Sequence, residues 1–293
     1  MKIVVLAGGL SPERNVSLST GTMVTEALRA LGHRAGLIDL YFGLETGGAD
    51  EAFFDAPVSE AYKKISREAP DLDQVRRGRK GDSPSMFGPG VLELCRMADM
   101  VFLALHGTCG EDGRVQAAFD LMGIPYTGAG YLGSAIAMDK DLTKRMVADV
   151  VSTPGWKTVT YTAADIDRLV ETARLPLVVK PVASGSSIGV SIAYTAEELR
   201  RSLTEGLALG GRTVLEEYIR GREIQVGILE DKALPSIEII PKQGFYDYAN
   251  KYQPGAALEV CPAEITPEEE ARVRAAALRV YETLGLSVYS RAD

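Results

Sequence analysis

Cysteine is scarce in this sequence, and long apolar runs are missing. The three cysteines, Cys95, Cys109 and Cys261, lie far apart and form no CxxC pair. Neither a zinc site nor a disulfide framework is therefore predicted, and a reducing cytoplasm suits this usage. No apolar run approaches the length of a membrane span, and glycine breaks the opening MKIVVLAGG too early for a signal peptide. We expect a cytoplasmic protein with no membrane partner.

Positive charge is also in deficit. Lys and Arg total 32 against 40 Asp and Glu, so the formal net charge is −8. A general nucleic-acid surface is therefore not expected, and the basic cluster at residues 76–80 is interpreted as a solvated loop. The hydrophobic content of 46% and charged content of 25% are typical of a soluble globular protein, and the 293 residues suggest two or three domains.

The most informative stretch is LVVKPVASGSSIGV, residues 177–190. Its apolar start predicts a buried strand that delivers Lys180 and stops at Pro181. The small residues of 183–187 leave backbone N–H groups open to anionic oxygens, and a second strand is predicted from Ile188. This arrangement suits a polyphosphate. In a P-loop the lysine follows the glycines and opens a helix, whereas here the lysine comes first and a strand follows. An ordinary β-hairpin with a serine-rich turn is an alternative interpretation of the same residues.

The N-terminal region predicts a strand, a glycine loop, a helix and a second strand. The first strand is Lys2–Ala7, helical spacing runs through residues 16–31, and the second strand covers residues 36–40. In such a βαβ unit, ligands lie at the carboxyl ends of the strands. Glu13 in the loop would repel phosphate and attract an amine.

A later strand end carries a histidine. Residues 100–105 predict a buried strand that runs into HGTCGEDG, which places His106 at the edge of the sheet. A structural histidine that caps the strand is an equal alternative. Residues 41–90, rich in Gly, Pro and Asp, are expected to form an insertion with little regular structure.

The C-terminal half adds a flat-base site and a lid. A strand at 213–217 leads into EEYIRGRE, where backbone groups beside an apolar side chain could flank a base and Glu223 could accept from sugar hydroxyls. Residues 242–255 hold four aromatics and two lysines between glycines, which predicts a mobile lid that excludes water; a packed aromatic loop is the alternative. The last predicted strand places Arg291 and Asp293 on one face.

These motifs occur together in one known family. AGGLSPERNVSL, HGTCGEDG, YTG at 126–128, MDK at 138–140, VVKPVASGSSIGV, EEYIRGRE, FYDYANKY and SRAD follow the family's order along nearly the whole chain. The sequence resembles the D-alanine–D-alanine ligases of the ATP-grasp superfamily. The resemblance implies an α/β fold with an N-terminal βαβ domain over 1–128, a central ATP-grasp subdomain over 129–216 and a C-terminal one over 217–293.

The resemblance also implies a reaction. ATP would phosphorylate the carboxylate of one D-alanine, and the amine of a second would attack the acyl phosphate to give D-alanyl-D-alanine for peptidoglycan precursors. Mg²⁺, or Mn²⁺ in its place, and lysines would neutralise the triphosphate charge that this step requires. A homodimer is implied as well.

The resemblance assigns roles residue by residue. Contacts with the nucleotide would fall to Lys140, Lys180, Ser187, Glu216, Glu217, Tyr218, Ile219, Glu223 and Lys251. Glu13 would hold the first D-alanine's ammonium and hydrogen-bond with Ser186 and Tyr252. His106 would lie near that substrate's carboxylate. Arg291 would stabilise the oxyanion of the tetrahedral intermediate, and Asp293 would bind magnesium. Tyr252 would favour D-alanine over D-lactate as the second substrate.

The family pattern continues beyond Asp293, with a Glu-x-Asn metal motif and a Gly-Ser-rich substrate loop. We therefore expect weak or no ligase turnover from these 293 residues, either because they are a truncated piece of an active enzyme or because the protein is catalytically impaired. Two alternatives stay open. One is a ligase with a D-lactate or D-serine acceptor, and the other is a nucleotide-binding protein that has lost catalysis.

Overall fold

The computed structural model describes residues 1–44, 48–66, 68–242, 244, 251 and 255–293. The chain divides into two compact units, Met1–Ala135 and Ile136–Asp293. The domain boundaries expected at 128/129 and 216/217 stay predictions. Among the helices of the described ranges, none combines the length and the apolarity that a membrane span needs.

The first unit contains a three-stranded parallel sheet. Its strands are β1 (Lys2–Ala7), β2 (Arg34–Asp39) and β3 (Met100–Leu103). Its helices are α1 (Arg14–Ala30), α2 (Leu72–Gly78), α3 (Val91–Met97), α4 (Arg114–Met122) and α5 (Tyr131–Met138), the last of which runs past the unit boundary. The strand order is β2-β1-β3, so β1 is the central strand, with Ile3 opposite Ala35 and Met100.

The central strand β1 is buried on both faces. Val4 and Leu6 pack into a cluster with Phe119 of α4, while Val5 on the other face packs with Leu18 of α1. This division follows from the alternation of side chains along a strand. Because both faces are covered, the loop that leaves the carboxyl end of β1 starts from a fixed point.

The expectation of little regular structure in residues 41–90 is wrong in part. The segment contains α2 and two 3₁₀ turns, Glu51–Asp55 and Glu60–Lys63. Its Phe54 is fully buried in the core of the first unit, and Asp71 caps α2 by accepting from the backbone N–H of Asp73. Elsewhere in the first unit, Tyr126 makes an isolated parallel bridge with Val101 of β3.

The second unit begins with a four-stranded antiparallel sheet. Its strands are β4 (Trp156–Thr160), β5 (Leu177–Pro181), β6 (Ser191–Ala193) and β7 (Arg212–Glu217), in the order β4-β7-β5-β6. The accompanying helices are α6 (Lys140–Val147), α7 (Ile166–Glu171) and α8 (Ala196–Ala208). Val179 and Leu215 face a core that Leu203 of α8 completes. The neighbouring residues on those strands, Lys180 and Glu216, therefore project from the opposite face.

The second strand of the central hairpin begins later than the sequence predicts. It starts at Ser191, not Ile188. The backbones of Ser186, Ser187 and Gly189 adopt left-handed conformations with φ of 49°, 58° and 72°. Such angles are incompatible with a strand, so the intervening residues form a longer loop.

A second sheet completes this unit. Its strands are β8 (Glu223–Leu229), β9 (Lys232–Ala233), β10 (Ile237–Pro241), β11 (Ala257–Val260) and β12 (Tyr289–Ala292), with the main order β11-β10-β8-β12 and β9 on β8. Helix α9 (Pro267–Thr283) starts with a capping box at Thr266 and packs Ala277 and Tyr281 against β8. The pairing of β12 with β8 fixes the backbone that carries Arg291, which lies opposite Gly227.

Candidate functional site

Glu13 lies where the loop after β1 enters α1, and its side chain is buried. Its backbone N–H donates to Ser11 Oγ at 3.2 Å, and Ser11 Oγ donates to the carbonyl of His106 at 2.8 Å. The serine thus ties the loop after β1 to the loop after β3. This brings the predicted residues Glu13 and His106 to the same sheet edge in the first unit.

The carboxylate of Glu13 lies against the backbone of Gly107. A β-carbon built on Gly107 would come within 2.5 Å of Glu13 Oε2, and Gly107 has a φ of +68°. His106 Nε2 is 3.2 Å from Thr20 Oγ1, and His106 Nδ1 is 3.9 Å from Glu111 Oε1. A side chain at position 107 would displace the Glu13 carboxylate. A buried carboxylate favours a positively charged partner, so Glu13 is suited to an ammonium group.

A buried ion pair supports this loop, and sequence reasoning missed it. Arg14 pairs with Asp39 at the end of β2, and Arg14 Nη1 donates to the carbonyl of Gly9 at 2.7 Å. Asp39 also accepts from the backbone N–H of Tyr41 at 2.8 Å. No local pattern links residues 14 and 39, so only the β2–β1 pairing could have indicated this contact.

Two of the predicted phosphate-binding lysines come from different elements of the second unit. Lys140 opens α6, and its Nζ donates to the carbonyl of Ser184 at 2.7 Å. Lys180 ends β5 and forms an ion pair with Glu216 of β7. Asp139 caps α6 by accepting from the backbone N–H of Leu142 at 2.9 Å, which fixes the helix start that carries Lys140.

The electrostatics show that the lysines lie close together. Burial, followed by the charges of Lys180 and Lys251, lowers the pKa of Lys140 to about 8, against the opposing charges of Asp139 and Glu216. Lys180 and Lys251 disfavour the charge of Lys140, and a polyanion bound beside them would relieve this repulsion. The predicted lysine group is therefore assembled within one unit.

The carboxylate of Glu216 is buried between two lysines. Its Oε1 is 2.5 Å from Lys144 Nζ, and its Oε2 pairs with Lys180. Although burial would raise the pKa of Glu216, hydrogen bonds from Lys144 and Lys180 bring it below its ordinary value. Lys144 was not foreseen, yet it lies four residues after Lys140 and thus on the same face of α6.

The loop between β5 and β6 is a succession of tight turns. The N–H of Ile188 donates to the carbonyl of Gly185, and that of Val190 to the carbonyl of Ser187, both at 3.1 Å. Ser184 Oγ donates to the carbonyl of Ile188, also at 3.1 Å. Left-handed residues within such turns direct backbone N–H groups to one side, a common anion-binding arrangement.

The end of β7 carries the residues expected around a base. Glu217 and Ile219 are exposed, and the Tyr218 ring meets Tyr194 edge-on with centroids 5.7 Å apart. At the start of β8, burial and then the charge of Asp293 raise the pKa of Glu223, while Lys251 opposes this. Glu223 therefore lies within electrostatic reach of two other predicted residues.

A pocket of about 470 Å³ brings five predicted residues together in the second unit. They are Lys140, Lys180, Glu216, Arg291 and Asp293, and the unforeseen Lys144 also lines it. Arg291 Nε lies 3.9 Å from Asp293 Oδ1, so these two side chains lie close together, although β12 ends at Ala292 and Asp293 follows it. The mixture of cations and carboxylates on its wall is suited to a metal-bound polyphosphate.

The described ranges contain no cluster of three or more His, Cys, Asp or Glu side chains that could hold a metal alone. Asp293 offers a hard oxygen donor, and magnesium is commonly bound by one or two carboxylates together with substrate phosphates. The residues present therefore fit an ion that arrives with a nucleotide. Tyr252 and most of the predicted lid 242–255 lie outside the described residues.

Comparison with known proteins covers both units. The family model described as D-ala D-ala ligase N-terminus matches residues 2–129, and that described as D-ala D-ala ligase C-terminus matches residues 149–293. The D-alanine–D-alanine ligase of Pediococcus pentosaceus is 39% identical over 297 residues, which span 100% of this chain and 84% of that protein. The ligase of Synechococcus sp. is 40% identical, with 100% and 79% covered.

Solved structures agree with this similarity. The D-alanine–D-alanine ligase from Bacillus anthracis complexed with ATP aligns at a TM-score of 0.67 and 29% identity, covering 99% of this chain and 80% of that one. The VanG D-Ala:D-Ser ligase from Enterococcus faecalis aligns at 0.70 and 28%, covering 99% and 84%. By sequence over its full length and by its α/β ATP-grasp fold, the chain belongs to the D-alanine–D-alanine ligase family.

Proposed function

We propose that this protein joins two D-alanines at the expense of ATP, for peptidoglycan precursor synthesis. The observation that carries this proposal is the pocket lined by Lys140, Lys180, Glu216, Arg291 and Asp293. Such a concentration of charge is costly to fold unless a charged ligand compensates it. The negative charge of a triphosphate would balance the positive charge of the lysines.

The ligation proceeds through an acyl phosphate. The carboxylate oxygen of the first D-alanine forms a bond to the γ-phosphorus, and the bond from that phosphorus to the β–γ bridging oxygen breaks to release ADP. The amine of the second D-alanine, after losing a proton, then attacks the acyl carbon, and inorganic phosphate leaves. Each step moves negative charge, so fixed cations stabilise its transition state.

The protein's residues divide this work. Lys140, Lys180 and Lys251 neutralise the phosphates, and the loop with Ser186 and Ser187 offers N–H groups to their oxygens. The backbone of Glu217–Ile219 borders the adenine, with Glu216 at its edge and Glu223 at the ribose. Each of these assignments rests on the family resemblance together with the local geometry described above.

The amino-acid substrate is held by a second group of residues. Glu13 binds the ammonium of the first D-alanine, and His106 lies near its carboxylate. Ser186 and Tyr252 hydrogen-bond with Glu13 when the lid closes. Arg291 donates to the oxyanion of the tetrahedral intermediate.

Asp293 would hold a Mg²⁺ ion, or Mn²⁺, that enters with ATP. When bound, the ion neutralises phosphate charge and so makes the γ-phosphorus more electrophilic. The wall of the pocket supports this placement, because Asp293 lies on it beside Arg291.

Three unpaired cysteines and the consumption of ATP support a cytoplasmic location. The exposed Leu121 of α4 and Leu132 of α5 offer apolar area for the homodimer that the resemblance implies.

The acceptor is the open part of the function, since a D-Ala:D-Ser ligase shares this fold. The test is ADP release by the protein with ATP and Mg²⁺, first with D-alanine alone and then with D-serine or D-lactate added. We expect ADP release that depends on D-alanine, with D-alanyl-D-alanine as the main product at neutral pH. Nucleotide binding without D-alanine-dependent ADP release would favour the non-catalytic alternative instead.

A further inference from the structure

Lys144 is a buried charge of the pocket that the proposed mechanism does not use. Only about 10% of its side chain is exposed. Its Nζ contacts Glu216 Oε1, donates to Thr153 Oγ1 at 2.6 Å and lies 5.0 Å from the centre of the Trp156 ring. The ammonium is therefore held from three sides, all within the second unit.

Lys180 has the opposite character, although it pairs with the same carboxylate. About 30% of its side chain is exposed, and it ends a strand at the wall of the pocket. Each carboxylate oxygen of Glu216 is thus paired with a different lysine. Lys144 is the buried partner, and Lys180 is the partner exposed at the pocket wall. The outer lysine is the one that a ligand in the pocket can reach.

This difference matters when a phosphate arrives. If Lys180 turned from Glu216 to a phosphate oxygen, the carboxylate would stay buried, because only about 7% of its side chain is exposed. A buried carboxylate that loses its only partner is strongly disfavoured. Without a second partner, Glu216 would hold Lys180 back and weaken nucleotide binding.

We propose that Lys144 is a positioning residue, which keeps Glu216 paired while Lys180 exchanges this carboxylate for a phosphate of ATP. This inference rests on the proposed ATP-dependent ligation. Lys144 acts only through Glu216 and does not touch the nucleotide. Its contribution should therefore appear in the binding of ATP and not in the handling of D-alanine.

The test compares Lys144→Met with Lys144→Arg, and with Lys157→Met as a matched control. Lys157 is an exposed lysine of β4, and its side chain lies on the face of the sheet opposite to the face that carries Glu216. In steady-state ADP release, we expect Lys144→Met to raise KM for ATP about tenfold, with kcat and KM for D-alanine within about threefold of wild type. Lys144→Arg restores the charge, so most of the loss is recovered. Lys157→Met stays at the wild-type values.

A second measurement asks whether the effect passes through Glu216. In a Glu216→Gln background, where no carboxylate needs a partner, Lys144→Met should change KM for ATP by less than about twofold. A Lys144→Met protein with an unchanged KM for ATP overturns the proposal. A fall in kcat together with similar rises in KM for ATP and for D-alanine also overturns it, because such changes indicate a merely structural role.

The outcome stays interpretable if the proposed ligation itself fails. Should wild-type protein release no ADP with D-alanine, the same variants are compared by equilibrium binding of a non-hydrolysable ATP analogue with Mg²⁺. Weaker binding by Lys144→Met than by Lys157→Met still supports the inference, and equal binding overturns it. Should Lys144→Met fail to fold, Lys144→Gln and Lys144→Arg replace it, with near wild-type affinity expected only for the arginine.

Discussion

The two units hold their candidate residues by different means. In the first unit, the backbone N–H of Glu13 donates to Ser11, and the Glu13 carboxylate occupies space that a side chain at Gly107 would fill. In the second, Lys180 is held by the charge of Glu216, which a further lysine shares. The space around Glu13 therefore restricts the first group, although the Arg14–Asp39 ion pair supports its loop, whereas charge restricts the second group. The difference suits an amino acid of fixed size on one side and a flexible polyanion on the other.

Small polar contacts support the shape of the first group. Ser17 Oγ accepts from the N–H of Gly8 at 2.8 Å and donates to the carbonyl of Ala104 at 2.7 Å. Each neutral hydrogen bond contributes about 1 kcal/mol, but the set defines where the loops can lie. Substitutions that add volume around Glu13 should therefore change activity more than a change of pH or salt does. In the lysine pocket, a change of pH or salt should have the larger effect.

The largest effect is expected from Lys180→Met. The change removes a cation from the pocket, while Glu216 keeps Lys144 as its partner, so the fold should be retained. We expect kcat/KM for ATP to fall about 10³-fold, because the lost charge acts on the transferring phosphoryl group. Steady-state ADP release with D-alanine measures this. A loss of less than tenfold would show that Lys140 and Lys251 suffice, and that charge does not limit this region.

A smaller effect, confined to the amino-acid side, is expected from Gly107→Ala. The added methyl would meet Glu13 Oε2 at 2.5 Å, so the carboxylate must move. We expect kcat/KM for D-alanine to fall about 10²-fold, since a displaced binding group of this kind misplaces the reacting atoms. Binding of an ATP analogue, measured by calorimetry, should change by less than about twofold.

Gly32→Ala is the matched control for this change. Gly32 has a comparable φ of +85°, but nothing lies within 4 Å of the β-carbon that alanine would add. It therefore carries the same backbone strain without the clash. Equal losses in the two variants would mean that strain, and not the position of Glu13, explains the Gly107→Ala result.

Much of the fold could be predicted because local patterns determine it. The apolar run of β1 gave its bounds correctly, and the strands expected over 36–40 and 100–105 appear as β2 and β3 with ends that differ by at most two residues. The prediction that the second hairpin strand starts at Ile188 was wrong. Ser186 and Ser187 have left-handed backbone angles, which the serine residue type does not indicate in a sequence.

The supporting charges of the site could not be predicted in the same way. Lys144 and Glu216 are 72 residues apart, and Arg14 and Asp39 are 25 apart. Nothing local distinguishes Lys144, Arg14 or Asp39 from the solvated side chains that most lysines, arginines and aspartates are. Only the strand order and the packing of α6 against the sheet bring them together. The residues that contact substrates in the proposal were found through motifs, whereas the residues that orient them required the structure.

The smallest effect expected is a pH dependence of ATP binding that comes from Lys140. Its pKa, lowered to about 8 by burial and by Lys180, means that its charge is present below this pH and lost as the pH rises through it. ATP favours the charged form, so its Kd should rise about tenfold between pH 7 and pH 9. Lys140→Arg keeps its charge over this range, and calorimetry should then give a nearly flat profile. An equally steep profile in that variant would assign the titration to another group. A flat profile in the wild type would mean that burial and Lys180 do not lower the pKa of Lys140 into this range, and that charge does not limit ATP binding here.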